Sequence, residues 1–199
     1  MASMSNDPVR RLILASSSPR RQHLLREARF EFEIDPADID ESNIPSNLLP
    51  SDAAIYLAKA KAEVVATRHP DDVVLAADTI VAFGDRMIGK PKDAADAQRI
   101  LDLLSGTTHI AITGLCVICR ASGFVRQARV MSAVKMKSLT PNEIEHYIES
   151  NLWQGKAGGY GIQDPHSLVK STVGDVTNVV GLPMDKTAEL LAEAGIRRR

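Results

Sequence analysis

A chain of 199 residues with 44% hydrophobic and 25% charged residues can bury a sizeable core, as one large domain or two small lobes. Its net charge of −1 argues against bulk nucleic-acid binding, which leaves a basic footprint; the basic run Arg197-Arg198-Arg199 reads as a solvated tail. No apolar stretch approaches the roughly 18 residues of a membrane-spanning helix. The apolar run 12–15 is too short for a signal peptide, so no membrane partner and a cytoplasmic location are expected.

In chain order, residues 1–10 are expected to form a disordered tail and residues 11–15 a first strand. The strand runs into Ser16-Ser17-Ser18-Pro19-Arg20-Arg21, a helix start with Ser18 as N-cap and Pro19 at the first helical position. That helix, to about residue 28, turns Leu24 and Leu25 to the core. A strand feeding a serine-rich turn into a helix N-terminus is a natural anion site, because free N–H groups and the helix dipole point at the ligand. Arg20 and Arg21 oppose the dipole, a conflict that a bound anion would relieve.

Residues 32–34 read as a second strand, and the acidic stretch from Asp35 to Glu41 offers oxygen ligands for a hard cation, without EF-hand spacing. After a turn-rich link over 45–50, Ser51 opens a long helix to about His69, with Ile55, Ala58, Ala62 and Val65 on its apolar stripe. Lys59 and Lys61 lie about 200° apart round that helix, so they cannot share a site.

Residues 73–77 form an apolar run, the pattern of a strand buried on both faces, ending on the carboxylate of Asp78. Such a charge costs free energy unless it is paired, hydrated or bound to a metal. Gly84-Asp85 is a turn between residues 80–83 and Met87-Ile88, making a hairpin that returns Lys90 towards Asp78. The stretch from Gly84 to Lys90 also matches G-x-x-x-x-G-K, the front of a P-loop. Pro91 stands where that motif needs a metal-binding hydroxyl, and a hairpin does not enter a helix, so the match is rejected.

A helix over 93–104 turns Ala97, Ile100, Leu101 and Leu104 inward, and strands over 107–119 and 125–137 turn at Ala121-Ser122-Gly123. Cys116 and Cys119, three apart on a strand, point to opposite faces, and no second pair completes a zinc site; both are expected in the core. Thr140-Pro141-Asn142-Glu143 is a capping box opening a helix to about Ser150. The glycine-rich stretch 155–164 allows either close approach to a ligand or a flexible loop. Residues 167–171 suggest an inner strand, 178–183 a turn, and 184–194 a closing helix. Strands and helices alternate at first and then mix, which predicts an α/β fold with a mixed sheet.

Ser16-Ser17-Ser18-Pro19-Arg20-Arg21, Ala77-Asp78-Thr79, Gly89-Lys90-Pro91, Tyr160-Gly161-Ile162-Gln163 and Asn178-Val179-Val180-Gly181-Leu182-Pro183 occur in that order. Together they resemble the Maf family of nucleoside triphosphate pyrophosphatases, over about residues 12–191. The resemblance implies one Maf-like domain: a central mixed sheet with flanking helices and two lobes around a cleft, similar to the inosine triphosphatase fold. It implies hydrolysis of a nucleoside triphosphate to the monophosphate and pyrophosphate with a divalent cation, Mg²⁺ or Mn²⁺. Asp78 matches the family's proton acceptor; Arg20, Thr79 and Gln163 match positions linked to base choice and look like the dTTP/UTP branch. Glu41, Lys61 and Lys90 match further polar residues of the cleft, and a homodimer is a family-level expectation. The chain departs from the family at Asp164-Pro165, where Gly usually follows Gln, which bears on substrate preference.

On this reading Glu41 and Asp78 hold the cation and its water, and Asp78 as base or as ligand stays open. Ser16, Ser18, Arg20, Arg21, Lys61 and Lys90 contact the substrate, with Arg20 clamping phosphate and the two lysines acting as point charges. Gln163 and Thr79 each carry a donor and an acceptor, suiting the edge shared by uracil and thymine. The alternatives are a pyrophosphatase for a modified purine such as 7-methyl-GTP, and a non-catalytic regulator of cell division.

Overall fold

The computed structural model describes residues 10–41, 44–45 and 47–199; apart from Arg10, the tail expected over residues 1–10 lies outside the described residues. Strand β1 (Leu12–Leu14) is fully buried and leads into helix α1 (Pro19–Glu27), where Ser18 holds the N-cap position without a capping side-chain bond. Strand β2 (Glu33–Ile34) follows, then helix α2 (Pro50–Arg68), which starts one residue before the expected Ser51 because Pro50 suits the first turn. Small residues, Ala53, Ala54, Ala58, Ala62 and Ala66, line its buried face and bring it close to the sheet; Ile55 lies off that stripe, half-buried.

Strand β3 (Val73–Phe83) and strand β4 (Arg86–Ile88) make the expected hairpin, followed by helix α3 (Ala94–Leu104), whose predicted inward residues are all buried. The long pair β5 (Thr108–Cys119) and β6 (Phe124–Met136) comes next, then helix α4 (Pro141–Glu149) with its capping box. Strand β7 (Val169–Val173), helix α5 (Val176–Val180) and helix α6 (Met184–Glu193) close the chain. Two expectations are corrected here. The strand expected to be an inner one is β7, an edge strand with mostly exposed residues. The turn expected over 178–183 begins as helix, because the Asp175 carboxylate caps the backbone N–H groups of Thr177 and Asn178.

The strands form one mixed sheet in the order β2-β1-β3-β5-β6-β7, with β4 also on β3. Pairs β2–β1 and β1–β3 are parallel, and the others antiparallel. Alternation along β3 sorts the core: Val73, Leu75 and Ala77 pack with Leu25 of α1 and Leu191 of α6, while Val74 and Ala76 pack with α2. Cys116 and Cys119 fall in those two separate layers as free thiols. Among the described residues no helix is long and apolar enough to cross a membrane.

Strand β3 does not end at Asp78. Val74 to Ala82 pair continuously with β5, so Asp78 sits inside a ladder that holds its backbone. The other edge of β3 is broken: β1 pairs with Val73 to Leu75 and β4 with Val81 to Phe83. Between them, residues 76–80 face a notch at the carboxyl end of the parallel strands, where open α/β sheets bind ligands. Asp78 stands opposite Gly114 of β5, and a Cβ on Gly114 would lie 2.3 Å from the Ala54 carbonyl oxygen of α2. Gly114→Ala should therefore lower stability by about 3 kcal/mol in urea unfolding. A midpoint equal to the parent's would show that α2 can yield without loss.

Candidate active site

All ten residues singled out from the sequence line one cleft, a cavity of about 500 Å³ around the notch. Asp78 and Thr79, adjacent on β3, project to opposite faces of the sheet and so serve two sets of neighbours.

On the α2 face, Lys61 donates to Asp78 Oδ1 at 2.5 Å, and the two side chains are only 8% and 10% exposed. Lys61 also meets Glu41 Oε1 at 2.8 Å, and Lys90 donates to Glu41 Oε2 at 2.8 Å. The result is a chain of alternating charge, Asp78–Lys61–Glu41–Lys90. Lys90 was expected near Asp78. It lines the same cleft and meets Glu41, which Lys61 links to Asp78. As expected, the two lysines do not share a site: Lys61 faces the sheet, while Lys59 is exposed and paired with Glu63.

On the other face, Arg21 donates to the Gly181 carbonyl at 2.8 Å, Ser16 Oγ at 3.1 Å and Thr79 Oγ1 at 3.3 Å. Gly181 ends α5 with φ of 118°, a left-handed turn natural to glycine, and this aims its carbonyl at Arg21. Thr79 Oγ1 lies 2.9 Å from Thr113 Oγ1 and 3.4 Å from the Gly181 carbonyl, and Thr113 Oγ1 lies 3.2 Å from the Asn178 carbonyl. The Thr79 hydroxyl thus holds Arg21 and ties α5 to the sheet. The Ser16 hydroxyl accepts from the Ser18 backbone at 3.2 Å, closing the turn at the start of α1.

Arg20 has no hydrogen-bond acceptor among the described residues; burial lowers its pKa, against the opposing charge of Asp164. Gln163 is exposed at the rim, without a protein partner among the described residues. The cleft is lined by five cations, Arg20, Arg21, Lys61, Lys90 and Lys156, against two carboxylates, Glu41 and Asp78, an excess that attracts anions. The sequence reading missed Lys156, which is paired with Asp164, and the buried contact of 2.6 Å between His109 Nε2 and the Tyr160 hydroxyl. The glycine-rich stretch around Lys156 and Tyr160 was the available signal.

The chain is similar to known proteins. The family described as Maf-like protein matches residues 11–194. The dTTP/UTP pyrophosphatase of Roseobacter denitrificans is 46% identical over 187 residues, 93% of this chain and 97% of the relative. That of Pyrococcus furiosus is 41% identical over 177 residues, 88% and 91% of the two. A solved structure, the nucleoside-triphosphatase / dITP/XTP pyrophosphatase of Mycobacterium abscessus, is 15% identical with a TM-score of 0.43, covering 93% of this chain and 97% of that one.

Burial works against the charge on Glu41, but the hydrogen bonds and charges of Lys61 and Lys90 outweigh it and bring its pKa from 4.5 to about 2. A depressed carboxylate pKa stabilises the fold above the unfolded value and loses that contribution as pH falls through the folded one. Thermal midpoints should therefore drop more steeply between pH 4.5 and about 2 in the parent than in Glu41→Gln. Parallel curves would remove Glu41 from the charge chain.

Proposed function

The chain belongs to the Maf-like protein family, and from that premise we propose that it is a nucleoside triphosphate pyrophosphatase acting on UTP and dTTP. Water attacks the α-phosphorus, the bond to the β-phosphate oxygen breaks, and the nucleoside monophosphate and pyrophosphate leave. The observation that carries the reading is the buried Asp78–Lys61 pair in the β3 notch, continued by Glu41 and Lys90 and faced by the α1 N-terminus. A carboxylate that accepts a proton and several cations for a polyphosphate are what in-line hydrolysis needs.

Asp78 is suited to take the proton of the attacking water. Its Oδ1 is held by Lys61, while Oδ2 has no protein donor among the described residues. The ladder to β5 fixes the backbone beneath it, so the carboxylate is preorganised. Arg20, with its five donors uncommitted within the described residues, clamps phosphate oxygens beside the free N–H groups at the start of α1. Arg21 is committed to Gly181, Ser16 and Thr79, so it acts as fixed positive charge. Lys61 and Lys90 add point charge, and Ser16 and Ser18 shape the turn that receives the phosphates.

The donor set suits a hard divalent cation: Glu41 and Asp78 converge on one ammonium, and Mg²⁺ commonly binds through one or two carboxylates together with substrate phosphates. These two residues would hold Mg²⁺ or Mn²⁺. When bound, the cation supplies neutralisation of phosphoryl oxygens and a water of lowered pKa.

Base choice falls to Gln163. The Thr79 hydroxyl is engaged by Arg21, Thr113 and the Gly181 carbonyl, whereas the exposed Gln163 amide keeps a donor and an acceptor for the O4/N3–H edge shared by uracil and thymine. A site built for that edge leaves groups unpaired against cytosine, while one methyl separates uracil from thymine, so UTP and dTTP are both accepted. A nucleotide-pool substrate accords with a cytoplasmic location.

Pyrophosphate release, measured with Mg²⁺ or Mn²⁺ across dTTP, UTP, CTP, 7-methyl-GTP and ITP, should favour dTTP and UTP. Asp78→Asn should cut turnover at least about a hundredfold. Gln163→Ala should widen base choice before it abolishes hydrolysis. A fully active Asp78→Asn enzyme would sink the proton-acceptor assignment, and activity confined to purines would overturn the base assignment.

A further inference from the structure

The loop that carries Gln163 is irregular. It runs through Gly158 and Gly159, both with positive φ, and has no strand partner among the described residues from 160 to 164. A side chain that reads a base edge must be held within about half an ångström, and a loop of this kind cannot do that from its own backbone. Its position is set by ties to other elements. Gly158 N–H donates to the Gly89 carbonyl at 3.0 Å, and the Tyr160 hydroxyl meets His109, so the loop is pinned up to Tyr160.

Beyond Tyr160, Ile162 packs against the core and Asp164 N–H donates to the Gly161 carbonyl at 3.3 Å, and the side-chain polar ties converge on a single carboxylate. Asp164, with its side chain 10% exposed, receives the Lys156 ammonium on both oxygens and the Tyr147 hydroxyl on Oδ2. Tyr147 comes from α4 and is buried; burial first, and then the hydrogen bond to Asp164, raise its pKa above the usual phenol range, so it is the donor. The same hydroxyl accepts the Gly161 backbone N–H at 3.2 Å. A Cβ on Gly161 would lie 2.5 Å from Asp164 Oδ1, so the carboxylate is packed directly under the loop backbone. Lys156, Gly161, Ile162 and Gln163 all line the cleft, while Tyr147 and Asp164 stand behind it.

We infer that Asp164 and Tyr147 are positioning residues for base selection: together they fix the Gly161–Gln163 backbone, and Asp164 holds the Lys156 ammonium at the cleft wall. This rests on the pyrimidine-triphosphate reading above. Asp164 is not part of the cleft lining. It is an internal counter-ion, and its loss lets Gln163 swing and frees a cation that attracts every nucleotide alike. Selectivity should therefore fall while turnover on the preferred base is kept, a split that a general loss of structure does not produce.

The test compares kcat and KM for UTP and CTP in the parent, Asp164→Asn and Tyr147→Phe. Thermal melts accompany the kinetics, and Tyr147→Phe serves as the gentler change should Asp164→Asn fold poorly. The expected result is a fall of about tenfold in the UTP-to-CTP ratio of kcat/KM for Asp164→Asn, a smaller fall for Tyr147→Phe, and kcat on UTP within about threefold of the parent. An unchanged ratio in a folded variant, or equal losses on both nucleotides, overturns the inference and leaves the proposed reaction standing. A parent that hydrolyses neither nucleotide, or shows no preference between them, removes the underlying reading and this inference with it.

Discussion

The contact between the Lys61 ammonium and the Asp78 carboxylate is the constraint on which the rest of the cleft depends. Both groups are nearly withdrawn from water, and either one alone would carry a desolvation cost of several kcal/mol. They must therefore find each other, and that requirement fixes the rotation and height of α2 over the sheet. The alanine face of α2 and the bare backbone of Gly114 are what let the helix come close enough. Packing and electrostatics here make a single demand: the residue opposite Asp78 has no side chain because a helix must deliver a lysine to that carboxylate. Buried ion pairs are poor sources of net stability, so the placement of two charges at a cleft is better explained by chemistry than by folding.

The second constraint is topological. Strand β3 is flanked on one edge by β5 along nearly its whole length, and on the other by β1 and then β4 with a gap between. A continuous ladder on one side makes the backbone rigid, and the gap on the other leaves two adjacent side chains accessible. Rigidity and access usually conflict in a sheet interior. Here they are divided between the two edges of one strand. The parallel direction of β1 also matters, because it sends the chain out of the sheet at the notch and starts α1 there, with its free N–H groups beside the carboxylate.

Much of this was legible in the residues. The serine turn before Pro19, the capping box at Thr140 and the Gly84-Asp85 hairpin are local signals, and local rules read them correctly. Helix arithmetic separated Lys61 from Lys59 before any contact was known. Where the reading fell short, the missing information was non-local. The sequence pattern ended β3 at Asp78 because a charge interrupts an apolar run, yet nine ladder pairs with β5 and a lysine 17 residues upstream carry the strand through. β7 was read as an inner strand although its position at the sheet edge depends on β6 alone pairing with it. The role of the Thr79 hydroxyl depends on Thr113 and on a carbonyl of α5, neither of which a motif reveals.

Asp164 shows the same limit from the opposite direction. Beside Gln163 in the sequence, it suggests a negative charge facing the base. In the fold it stands behind the cleft wall, held by Lys156 and Tyr147, and its charge acts on Arg20 at the cleft. The field in the cleft has two sides. The α2 side, where Asp78, Lys61, Glu41 and Lys90 alternate, is nearly neutral overall but strongly structured, which suits holding a water and handing off a proton. The α1 side carries Arg20 and Arg21 without a carboxylate in hydrogen-bond contact, which suits accumulating phosphate charge. Because Asp78 and Thr79 are successive residues of one strand, the two environments meet across a single peptide bond.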